Sequence, residues 1–133
     1  MQDAAFFRGT FDETMGLLVE ARNYMRYCER RERKRLGDNV GLRLNCEAMR
    51  VTSRLTQVMA WLMVQKAVHA GELTPEEALA EERRLTFSDV CLDRSGEEDT
   101  NLPLGFRRLM DRSWRLFARV ERLEQHIIRR MLH

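Results

Sequence analysis

At 133 residues, one in three of them charged and a net charge of only +2 at pH 7, the chain has the size of one domain that buries roughly two-thirds of the surface its unfolded form exposes. That balance supplies no general attraction to nucleic acid or anionic lipid. Three distant cysteines, Cys28, Cys46 and Cys91, with no CxxC pair, argue against a disulfide framework and for small core residues in a reducing compartment.

In chain order, "MQDAAFFRGTFDE" lacks the basic start and apolar core of a secretory signal. Helical period then runs from about Asp3 to Lys34, with Phe7, Phe11, Leu18, Ala21, Met25 and Cys28 on one face and Met15 beside them. Gly16 interrupts that helix at a cost of about 1 kcal/mol relative to alanine, compatible with either close helix contact or simple tolerance. The turn residues of "LGDNVG" predict a break. A second helix is expected from about Leu42 to Ala70, closed by Gly71.

This second helix contains Val58 to Val64, seven apolar residues in a row, far short of the ~20 needed to span a bilayer. A soluble, cytoplasmic protein without membrane contact is expected. A helix lying between two neighbours and a second copy of the chain would need such an apolar surround, so a homodimer is expected too.

"TPEE" has the form of a capping box, with Thr74 as cap, Pro75 at the first helical position and Glu77 three residues past the cap. It predicts a short acidic helix to about Val90. "DRSGEEDTNLP" reads as a polar loop. Pro103 opens the last helix, whose seam is Phe106, Leu109, Ser113, Leu116, Val120, Leu123 and Ile127, widened by Met110, Phe117 and Met131. Three helices of about 25–30 residues predict an all-α fold. The expected arrangement is one domain over residues 1–133, an antiparallel three-helix bundle with a short extra acidic helix between the second and third long helices.

Charge is unevenly distributed. Residues 72–104 carry ten acids against three bases, and residues 105–133 carry eight bases against three acids. Arg108, Arg112, Arg115, Arg119 and Arg122 form one basic line of a kind able to contact phosphates. Asp111, Glu121 and Glu124 interrupt it, as glutamates do in "ERRERKR", so a solvated face is the stronger reading. Nucleic acid is not an expected partner.

Catalytic equipment is missing from the sequence. GxSxG, HExxH, GxGxxG and a phosphate loop ending in GK[ST] do not occur. His69, His126 and His133 have no carboxylate three residues before them, as a di-iron bundle requires. Glu76 and Glu77 fall in a helical first turn, where negative charge complements the dipole, and with Glu81 and Glu82 they read as a solvated acidic face. No enzyme activity, cofactor or metal is expected.

On a helical wheel the second helix carries Ala48, Thr52, Leu55, Met59, Met63, Ala67 and Ala70 on one side, small and flexible residues suited to a bundle core. The opposite side carries Arg43, Glu47, Arg50, Arg54, Gln57, Trp61 and Gln65. A tryptophan in the middle of a polar line is out of place. It is covered by the N-terminal segment or a second subunit, or it is a binding hot spot, since tryptophan and arginine are over-represented in such sites. Arg50, Arg54, Gln57, Trp61 and Gln65 are therefore the candidate partner or dimer surface.

The blocks "AFFRGTFDETMGLLVEARNY", "RVTSRLTQVMAWLMVQKAVHAGELTPEEALAE" and "LPLGFRRLMDRSWRLFARVERL" resemble those of the bacterial regulator of CtrA degradation family, originally catalogued as a domain of unknown function. The resemblance covers nearly the whole chain. It implies a compact three-helix bundle that dimerises and acts as a non-enzymatic adaptor, delivering cell-cycle regulators to a Clp-type AAA+ protease. The alternative is a DNA-associated or purely structural helical dimer. Members of the family can carry a flexible polar tail after the last helix, whereas this sequence stops at "RRMLH" with the apolar period still running.

Overall fold

The computed structural model describes residues 4–132, with side chains described for 7–26 and 37–132. Cys28 and the side chains of "ERRERKR" lie outside that set. Every regular element among the described residues is helical. Helix α1 (Ala4–His69) is broken only at Gly37 (φ 74, ψ 171), which divides it into an N-arm and a C-arm. The expected break is thus one residue rather than a loop, because the backbone region Gly37 adopts is essentially closed to residues with a Cβ. Gly37→Ala should cost about 1–3 kcal/mol. Gly16→Ala should instead stabilise by up to about 1 kcal/mol, because Gly16 is helical and a Cβ there meets nothing within 4 Å. That open space removes close helix contact as the reason for Gly16. Urea midpoints moving in opposite directions would check the pair.

After Gly71, also at positive φ (78), the expected acidic helix is three short pieces. These are α2 (Pro75–Ala78), a 3-10 turn (Glu81–Arg83) and α3 (Ser88–Cys91). Thr74 and Glu77 form both halves of the capping box, at 3.0 and 2.9 Å. Continuity is lost at Arg84, which is extended, and at Phe87, a left-handed residue with φ 56. A second 3-10 turn (Ser95–Glu98) precedes α4 (Leu104–Met131).

The seam of α4 packs as its period predicts. Phe106, Leu109, Met110, Ser113, Leu116, Phe117 and Val120 are buried, with Leu123 and Ile127 against them, while Met131 is exposed. N-arm residues Phe7, Phe11, Leu18, Ala21 and Met25 are half-buried around Leu17, and Met15 is exposed.

The directions of the long helices differ from the expected antiparallel arrangement. Arg112 pairs with Glu20 and Arg119 with Glu13, so the N-arm and α4 run antiparallel. Phe7 packs on Trp61 and His69, which makes the two arms antiparallel as well. Arg54 meets Met110 and Ser113, and Trp61 meets Glu124 farther along both helices, so the C-arm and α4 are parallel. Parallel neighbours need a crossover. Residues 72–103 supply it by returning down the groove between the two helices.

Candidate functional site

The lower half of this crossover, residues 84–99, is a strap of short turns, so the backbone groups that the turns do not pair need partners outside the strap. The groove walls provide them. From the C-arm, the Gln57 side-chain oxygen accepts from the Thr86 amide at 2.9 Å. Arg54 donates through Nε to Cys91 O at 2.7 Å and through Nη2 to Asp93 O at 2.8 Å. Its Nη1 reaches Met110 O at 3.0 Å and Ser113 Oγ at 3.1 Å on α4. From α4, Glu124 accepts from the Leu85 amide at 2.9 Å, Trp114 donates to Leu92 O at 2.9 Å, and Arg107 donates to Glu97 O at 3.3 Å. Arg94 lies 4.0 Å over the Trp114 ring and pairs with Glu97 and Asp111. Arg50 pairs with Glu47 and reaches Asp93 at 3.5 Å, and Arg43 pairs with Asp99 at 2.6 Å.

The predicted partner surface is therefore mostly interior. Arg54 is 1 % exposed and Trp61 3 %, Arg50, Gln57 and Gln65 are half-buried, and Glu47 is buried. The helical-wheel assignment is inverted: of the supposed core face only Leu55 is buried, while Thr52, Met63 and Ala70 are exposed. The physical reason is the strap, whose carbonyls require donors and so draw an arginine inward. Cys91 is buried as expected, but Cys46 is exposed.

Burial opposes the charge on Arg54 and lowers its pKa, an effect countered by nearby Glu97. Guanidinium nevertheless stays protonated, so its donors remain fixed. Burial likewise pushes the Glu124 carboxyl above its ordinary value, against the opposing effects of the Leu85 amide, Arg84 and the Trp61 indole. A carboxyl raised on folding stabilises the fold fully below the unfolded pKa of about 4.3 and loses that contribution as pH rises through the folded value. Glu124→Gln should remove this dependence. Relative to the variant, wild type should gain stability as pH falls from 7 toward 4.5, read from urea midpoints.

The arrangement holds a shape. Among the described residues no three His, Cys, Asp or Glu side chains are grouped to hold a metal ion, and no helix is long and apolar enough to cross a membrane.

The family described as "Protein of unknown function (DUF1465)" matches residues 1–133. The crystal structure of RcdA from Caulobacter crescentus CB15 is similar to this chain, at 39% identity over 91% of this chain and 89% of that one, with a TM-score of 0.71. The chain belongs to the RcdA-like family. No curated protein matches it.

In this RcdA-like chain the basic line of α4 is partly neutralised. Arg112 and Arg119 pair with Glu20 and Glu13 of the N-arm at 2.7 and 2.5 Å, and Arg115 pairs with Asp111 at 3.0 Å. Paired in this way, they are less available to phosphates than the sequence spacing alone suggests. Sequence reasoning missed the strap contacts of Gln57, Trp114 and Glu124. The available signal was the long polar crossover itself, whose backbone groups had to be satisfied from somewhere.

Proposed function

We propose that this RcdA-like protein is a cytoplasmic, non-enzymatic adaptor that helps deliver cell-cycle regulators to a Clp-type AAA+ protease, and that it works as a homodimer of a single helical domain. The observation that carries this reading is family membership across nearly the whole chain, at 39% identity to RcdA. The geometry supports it, because the conspicuous polar side chains hold the strap and leave a rigid scaffold rather than a reactive cleft. An adaptor acts by tethering: client and protease held on one scaffold meet at an effective concentration of about millimolar, with no chemistry added. Its partners are proteins, and nucleic acid has no part in the proposal.

The test is capture from an extract of its own cells on the immobilised full chain, read by mass spectrometry. The proposal expects a Clp-type unfoldase and at least one cell-cycle regulator to be retained together. Retention of neither at micromolar concentrations of bait would overturn it.

A further inference from the structure

The outer face of the C-arm carries no charge. Between Leu42 and Ala67 the charged residues are Arg43, Glu47, Arg50, Arg54 and Lys66. The first four belong to the strap side, where they make the contacts described above, and Lys66 lines a cavity with Phe7 and Phe11. Facing away from the core are two interleaved sets, each repeating every seven residues: Leu42, Met49, Thr56 and Met63, and Cys46, Ser53, Ala60 and Ala67. Leu42 is 64% exposed, Met49 71% and Met63 51%. Cys46, Thr56 and Ala60 are exposed, and Ser53 and Ala67 half-buried. Steps of four and three sustained over roughly 38 Å of helix are the pattern of a coiled-coil seam, on a face left largely exposed among the described residues.

We infer that this stripe is the seat of a second copy of the chain, docked antiparallel about a two-fold axis between Ser53 and Thr56. The inference rests on the proposed homodimer and names its contact face. Self-complementarity argues for the occupant. With the axis at that point the layers are Leu42 on the partner's Ala67, Cys46 on the partner's Met63, Met49 on the partner's Ala60, and Ser53 on the partner's Thr56. Each of the three larger residues, Leu42, Met49 and Met63, meets a smaller one, and the whole stripe is covered by itself. An uncharged face also leaves no buried charge without a partner. A two-fold interface requires one patch that complements itself.

The test uses the full chain carrying Cys28→Ser, with the native Cys46 kept. Adding Met63→Cys should give a covalent dimer under mild oxidation, because Cys46 faces position 63 of the other copy. Within one helix the two positions are 17 residues and about 25 Å apart, too far for a disulfide. Adding Cys46→Ser should abolish the product. Ala60→Arg, on an exposed position, should weaken dimerisation at least tenfold without lowering the melting temperature of the dilute protein. Three results would overturn the inference while leaving the homodimer standing. They are a dimer by light scattering with no Cys46-dependent product, a Cys46–Cys46 product in the parent, or a product formed with Ala70→Cys and not with Met63→Cys. A monomer at all concentrations up to 100 μM would overturn both.

Discussion

Arg54→Ala is expected to cost about 3–5 kcal/mol, a large share of the stability of an ordinary domain. The substitution deletes four hydrogen bonds, to Cys91 O, Asp93 O, Met110 O and Ser113 Oγ. Met110 O keeps a bond from the Ser113 hydroxyl at 3.0 Å. The Cys91 carbonyl loses a charged donor in a buried setting and the Asp93 carbonyl one in a partly buried setting, at about 1–3 kcal/mol for the buried group and less for the other. Arg54→Lys should recover only part of the loss, since one ammonium cannot reproduce a planar fork whose three nitrogens reach different carbonyls. Urea denaturation gives the magnitude. Limited trypsin digestion gives the location, with faster cleavage after Arg83, Arg84 and Arg94 as the strap loosens. A loss below about 1 kcal/mol would mean that water replaces the guanidinium and that the strap is held from elsewhere.

Trp61→Ala should be comparably severe, at about 3–5 kcal/mol. The indole is 3 % exposed, its ring lies 6.0 Å from that of Phe7, and it contributes a hydrogen bond to Glu124. Its removal opens a cavity where both arms and α4 meet. Trp61→Phe keeps a ring and loses the N–H, so it should fall well short of the alanine variant in cost. The measurement is the melting temperature together with dimer dissociation. If Trp61→Ala melts normally and only association weakens, the residue is a docking hot spot and its burial in the monomer is not what holds it in place.

The parts of this fold that were legible in the sequence are those where apolar side chains do the sorting. The seam of α4 and the Thr74 capping box follow from periodicity and local hydrogen bonding, and both stand as expected. The C-arm was misread because its polar line looked solvated. A wheel weighs each side chain by its own preference for water, whereas Arg54 and Gln57 are placed by backbone groups some 30–40 residues farther along the chain. The parallel pairing of the C-arm with α4 was hidden for the same reason. Helical period fixes which face is buried but says nothing about direction, and only the course of the crossover shows that it returns to the start of the groove. The seven apolar residues from Val58 to Val64 divide accordingly. Val58, Trp61 and Leu62 are core, while Ala60 and Met63 belong to the outer stripe.

Tethering can be read from the degradation rate of a captured cell-cycle regulator by the purified Clp-type protease as this protein is titrated in. A tether predicts a rate that rises, peaks and then falls, because at high concentration client and protease occupy different scaffolds. A rate unchanged at every concentration, or one that saturates and never falls, would contradict it.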